Sequence, residues 1–146
     1  MKLLLIFLLT YSLQAAGFWT LTGLQQANIY VSNDLSILKA QTVVKIKEKM
    51  KTKLEDNGIK TGAQDSATLM VSMVEISDDE SYFIYVKLAL GEEVQTFRED
   101  KSATFALTYA ANDFIESDEE TIDIDVLESV DFLLDQFIEQ YEDDKE

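Results

Sequence analysis

Apolar positions in this chain fall into three kinds of pattern, and each predicts a different element. Residues 3–13 are almost unbroken apolar, interrupted by Thr10 and the Tyr11-Ser12 pair. Residues 69–76, 82–90 and 103–109 alternate with a period near two, as a half-buried strand does. Leu35, Leu38, Val43, Ile46, Met50 and Leu54 recur at three- to five-residue steps. Val126, Val130, Leu133, Phe137 and Tyr141 do the same, widened by Leu127, Leu134 and Ile138. Both sets make one apolar stripe on a helix.

The first helix is predicted from a cap at Asn33 or Asp34 to about Asn57. There Gly58 suits the left-handed conformation and Ile59 folds back on the last turn. The second is predicted to start at Asp125, with Glu128 completing a capping box. Residues 24–31 form a possible first strand. Residues 67–76 and 82–90, the latter resuming to Thr96 after a bulge or bend at Gly91, and residues 103–109 read as an antiparallel meander. Residues 112–121 read as an acidic connection. The expected fold is α+β, with a single antiparallel sheet of three to four strands and two amphipathic helices packed on one face, in the order β-α-β-β-β-α.

The apolar start changes the address of the molecule. Met1-Lys2, the greasy run and Gln14-Ala15-Ala16 have the layout of a secretory signal peptide, with cleavage expected after Ala15. The run is about half the roughly 20 residues needed to span a bilayer, so no transmembrane span is expected after cleavage. The domains are therefore read as signal peptide 1–15, lead-in and possible first strand 16–34, an α/β core 35–141, and an acidic, frayed tail 142–146.

Charge narrows the partners. The chain carries 12 basic and 28 acidic residues, −16 in all, and loss of Lys2 leaves 11 against 28, or −17. Such a molecule repels nucleic acid and anionic lipid and attracts cationic partners. There is no cysteine, histidine or proline. Disulfides, thiolate metal sites, imidazole bases and Ser-His or Cys-His pairs are thereby excluded.

The charges are also segregated. Lys39, Lys45, Lys47, Lys49, Lys51 and Lys53 crowd the first helix, whereas residues 113–146 hold fifteen acids and one lysine. Side-by-side helices would pair these rows, each exposed pair contributing about 0–1 kcal/mol. The alternative is an electrostatic contact with a partner, and the candidate interaction surface is Lys45, Lys49, Lys53, Asp131, Asp135 and Glu139.

Candidate chemistry adds little. Asp118, Glu119, Glu120, Asp123 and Asp125 are the densest carboxylates, but they lack EF-hand spacing and suit a helix N-terminus. Lys87 beside Tyr85 is expected to face water while its stem covers apolar surface, a desolvated base being the alternative. Phe18, Trp19 and Tyr30 are expected to pack on the sheet, an exposed aromatic patch being the alternative. No catalytic residue, cofactor or metal ligand is assigned.

The helix ending in Asn57-Gly58-Ile59, the strands at residues 67–71 and 82–90 with Val94 and Arg98, and the last helix ending in residues 137–141 resemble small exported bacterial α/β proteins of uncharacterised function. The resemblance implies a periplasmic location and carries over no catalytic residue. The expected role is a non-catalytic binding module of the cell envelope with a protein partner, docking by a sheet edge or a charged helix face. The alternatives are a carboxylate-dependent hydrolase of envelope polymers, or a binder or inhibitor of cations or basic proteins. The pattern leaves the oligomeric state open.

Overall fold

The computed structural model describes residues 20–63, 67–78 and 81–145; the expected signal peptide, Phe18 and Trp19 lie outside them. The elements are β1 (Gln26–Asn33), α1 (Ala40–Asp56), β2 (Lys60–Thr61), β3 (Ala67–Asp78), β4 (Ser81–Gln95), β5 (Ala103–Ser117) and α2 (Ile122–Asp143). They form one sheet in the order β2-β1-β3-β4-β5. The fold is α+β with both helices against one face.

Two parts of the expected sheet are corrected. It has five strands, and it is mixed: β1 runs parallel to β2 and β3, while β3-β4-β5 is the expected antiparallel meander. The cause is the position of α1. A strand that leaves through a helix and returns to the same sheet comes back parallel, so Ile29 pairs with Leu69 and Val31 with Val71. The added β2 is the two residues that follow the α1 stop signal. Gly58 adopts φ +82°, the Ile59 N–H donates to the Leu54 carbonyl at 2.9 Å, and the Lys60 N–H then donates to the Gln25 carbonyl at 2.9 Å.

The core is the single layer between sheet and helices. β3 contributes Leu69, Val71 and Met73; β4 contributes Ile84, Val86, Leu88 and Leu90, all fully buried. Ile46, Met50 and Leu54 meet them from α1, and Val126, Val130, Leu133 and Phe137 from α2. Tyr109 lies edge-on to Phe137 with ring centroids 5.1 Å apart, and burial pushes its hydroxyl pKa up to about 12.

β5 runs eight residues past the predicted strand end at Tyr109, through the segment read as a connection. It also contains the irregularity expected near Gly91. Leu90 pairs with Tyr109 but Gly91 with Leu107, so Thr108 is the extra residue, on the partner strand. Leu90 and Gly91 point to opposite faces, hence so do Tyr109 and Leu107. The apparent alternation Phe105-Leu107-Tyr109 is broken there: Tyr109 enters the core, and Phe105 and Leu107 face out.

Both helices follow strands that point the same way, so they run parallel, side by side. Lys39, Lys49 and Lys53 pair in order with Asp123, Asp131 and Asp135. The helix starts differ from the predicted caps. Asn33 accepts the Leu35 N–H and shapes a turn that seats Leu35 and Leu38 in the core before α1 begins. The cap of α1 comes instead from α2. Asp123 accepts the Lys39 N–H at 3.2 Å, the Thr42 hydroxyl at 2.5 Å and the Lys39 ammonium at 2.7 Å. At the start of α2, Asp118 accepts the Glu120 and Thr121 N–H groups, both at 2.9 Å. Asp125, the expected cap, accepts the hydroxyls of Ser117 and Thr121 from inside the first turn. The C-terminal end is tied down, not frayed: Asp144 is buried and accepts the Leu21 N–H at 2.8 Å.

Asp123 also makes stability pH-dependent. Burial raises its pKa, but the hydrogen bonds and charge of Lys39, with the Thr42 hydroxyl, outweigh that and hold it below the ordinary value of 3.8. A depressed folded-state pKa stabilises above the unfolded value and is lost as pH falls through the folded one. Urea unfolding of Asp123→Ala is expected to show a loss of about 1–2 kcal/mol at neutral pH, with the difference from wild type shrinking as the pH falls through and below 3.8. A deficit that does not change with pH would contradict the charged cap.

Gly91 supplies a second test. A Cβ there would lie 2.2 Å from the Phe105 Cζ, because that ring lies over the glycine. Gly91→Ala should cost about 1–3 kcal/mol by forcing the ring off, and clearly less in a Phe105→Ala background. Thermal melts of the four combinations check this.

Candidate docking surface

The sheet face away from the helices is uncovered among the described residues, and it is apolar. Register places Tyr30 of β1 beside Met70 of β3. It sets Val74 beside Tyr85 and Ile76 beside Phe83 across β3 and β4, and Tyr85 beside Phe114 across β4 and β5. Leu107 and Phe105 extend the face past the bulge. Of the eleven large hydrophobic residues exposed among the described ones, seven belong to this face: Tyr30, Val74, Ile76, Phe83, Phe105, Leu107 and Phe114. Phe114 is 65% exposed and Phe83 42%. Their exposure is concentrated in one place in a chain whose net charge is −16, which is what distinguishes a contact surface from scattered surface apolar residues.

The face is ordered by its own contacts. Tyr85 and Phe114 rings pack with centroids 4.8 Å apart, and Phe105 covers Gly91. Polar residues occupy its middle: Lys87 pairs in register with Ser72 on one side and Asn112 on the other. The expectation that Lys87 faces outward is met on this surface. Tyr30 belongs to the exposed aromatic alternative, not to the buried one. Charge returns at the two ends, with Glu116 opposite Phe83 and Glu93 opposite Phe105.

The six residues singled out on the helices lie together on the opposite side. Lys49 and Asp131 are 2.5 Å apart and Lys53 pairs with Asp135, so four of the six hold the helices in register. Lys45 and Glu139 are exposed on the same two helices. A shallow groove over this seam is lined by Lys45, Glu48, Lys49, Lys53 and Asp131.

Asp113, Asp118 and Asp125 are engaged in structural hydrogen bonds. Ser129 donates to Asp113 at 2.8 Å, tying α2 to β5, and Ser117 donates to Asp125 at 2.6 Å. The backbone N–H groups of Thr121 and Glu120 hold the Asp118 pKa below its ordinary value. Among the described residues no three or more His, Cys, Asp or Glu side chains are grouped to hold a metal ion, and no helix is long and apolar enough to cross a membrane.

Sequence reasoning missed the open face for a definable reason. Alternation places Met70, Val74 and Ile76 together on the second face of β3. Strand alternation says which residues share a face, not whether a second layer exists. The bulge at Thr108 hid the outward turn of Phe105 and Leu107.

No protein-family model and no curated protein matches the chain. Among solved structures it is similar to a PelC dodecamer from Paraburkholderia phytofirmans, at 12% identity over 69% of this chain and 78% of that chain, with a TM-score of 0.39. A likeness that distant carries no argument about this protein.

Exposed positions on the face should be replaceable without loss of the fold. Phe83→Ser with Phe114→Ser is expected to lower stability by no more than about 1–2 kcal/mol, chiefly through the lost Tyr85–Phe114 contact. The same change should reduce fluorescence of a hydrophobic dye bound to the native protein several-fold. Undiminished dye binding would mean that the exposed apolar surface lies elsewhere.

Proposed function

We propose that this protein is an exported binding module of the bacterial cell envelope that acts by docking another protein and not by catalysis. The observation that carries the reading is the ordered apolar face of the sheet, uncovered among the described residues. Displaying Phe83, Phe105 and Phe114 to water forgoes burial of about 25 cal/mol for each Å² of apolar surface. A covering partner recovers that stabilisation. The docking site is thus the open sheet face, and the charged helix faces serve first to hold α1 against α2. Against catalysis stands the engagement of Asp113 and Asp125 by neighbouring hydroxyls, together with the absence of histidine and cysteine from the sequence. Export follows from the signal-like residues 1–15, and the acidic charge keeps the protein in solution while its apolar face is unoccupied.

The test is capture from the envelope fraction of the source organism with the tagged mature protein and its Phe83→Ser/Phe114→Ser variant, washed at low and then high salt. Wild type should retain a defined protein through the high-salt wash, and the variant should lose it. The exported chain should begin at Ala16 on N-terminal sequencing. An identical set captured by both proteins, or no enrichment by either, would overturn docking through this face; an uncleaved N-terminus would overturn the export reading.

A further inference from the structure

β5 ends the sheet, and among the described residues no strand lies beyond it. The bulge at Thr108 divides that free edge and leaves residues 109–117 as an uninterrupted run. Within the run, the Phe114 N–H donates to the carboxylate of Asp113 on its own strand at 2.9 Å. In an antiparallel pair each residue turns both its backbone groups either to the neighbouring strand or away from it. Phe114 therefore belongs to the outward set, with Ala110, Asn112 and Glu116. Natural edges are ordinarily blunted by Lys, Pro or very short strands. β5 has none of these; the bulge and the Asp113 contact are what interrupt it.

The flank of α2 beside this edge is acidic. A groove of about 390 Å³ between them is lined by Asp113, Glu116, Asp125 and Glu128, with Ile115 and Phe132 as apolar walls. Phe132 is 51% exposed. Among the described residues none of these four carboxylates takes part in an ion pair. The chain has no Lys or Arg between Ser102 and Asp144, and the cations outside that stretch lie elsewhere. Lys87 is on the open face, across the sheet from Asp113, which pairs with Val86. Lys39, Lys49 and Lys53 bond the flank of α2 that faces α1. Arg98 and Lys101 share the β4–β5 turn with Glu99 and Asp100, about 35–40 Å along β5 from Asp113.

We infer that β5 accepts, as an added strand along residues 109–117, an extended protein segment that alternates Lys or Arg with apolar residues. Such a strand gives the outward backbone groups of Ala110, Asn112, Phe114 and Glu116 their partners. Its basic side chains face the groove, with their stems over Ile115 and Phe132 and their charges at Asp125 and Glu128. Its apolar side chains fall beside Phe114 and extend the Tyr85–Phe114 row of the open face. Two copies paired antiparallel through residues 109–117 would instead set the acidic groove of one against that of the other. Pairing over the whole strand would bring the Arg98–Lys101 turn of a second copy to the groove, and that arrangement is the rival. The inference deepens the docking reading above and rests on it, because the partner enters at the edge of the same apolar face.

The test uses the whole mature protein and fluorescently labelled peptides of about ten residues. One alternates Lys with apolar residues, a second has Glu in place of Lys, and a third has the composition of the first with its lysines in one block. Fluorescence anisotropy should show the alternating basic peptide binding at least about tenfold tighter than the other two, an advantage that shrinks at high salt. Hydrogen exchange followed by NMR should slow at the Ala110, Asn112 and Glu116 amides when it binds. Glu116→Gln/Glu128→Gln should weaken that binding several-fold while leaving the melting temperature near wild type. Equal affinity for the three peptides, or binding that leaves those amides unprotected, would overturn the inference. Concentration-dependent dimers of the protein alone that protect the same amides would assign the edge to a second copy and overturn it too. If the peptides fail but wild type still retains an envelope protein that Phe83→Ser/Phe114→Ser loses, strand addition falls and docking through the face stands. If neither peptide nor envelope protein is held, both fall.

Discussion

Two helix stripes buried against one side of a five-stranded sheet form the only core layer among the described residues, and the rest of the structure follows from that placement. α1 and α2 follow strands that point the same way, so they lie parallel. Their dipoles then repel weakly, each end beside its like. Lysines on α1 facing aspartates on α2 oppose that repulsion and select the register. Lys39–Asp123, Lys49–Asp131 and Lys53–Asp135 keep step along the seam. Each exposed pair contributes little by itself. Asp123 stands apart because its carboxylate is largely buried and also caps the neighbouring helix.

The same placement leaves the second sheet face without a layer among the described residues. A half-covered antiparallel sheet ordinarily alternates apolar inward with polar outward. Here β3, β4 and β5 put Ile76, Phe83 and Phe114 outward instead, close to Tyr85. Those rings are arranged, not loosely displayed. Tyr85 packs on Phe114, and Phe105 fills the space that a side chain at Gly91 would need. A surface with fixed internal contacts loses less side-chain freedom when covered than a flexible one.

The strongly acidic composition acquires a location through the fold. Asp123 of α2 and Asp118 cap the starts of α1 and α2, acids along α2 work as counter-charges to α1, and Asp113 and Asp125 accept hydroxyls where α2 meets β5. Glu93 and Glu116 bracket the apolar face. Some of the excess charge is therefore structural.

Periodicity in the sequence by itself determined the two helix stripes, the β3-β4-β5 meander and the Gly58 stop. Each depends on spacing between near neighbours. It also determined the possible pairing of lysine and aspartate rows, because the counts are so unequal. What lies far apart in the chain was decided by tertiary structure. The parallel pairing of β1 with β3, the addition of β2, the cap that Asp123 provides 84 residues from Lys39 and the bond from Leu21 to Asp144 are contacts that no local pattern encodes. The bulge at Thr108 moved Phe105 and Leu107 to the other face by inserting one residue, a change invisible to a period-two reading. Alternation specified two sides for every strand. Only the assembled sheet decided which side the helices cover, because that depends on where α1 crosses and α2 returns.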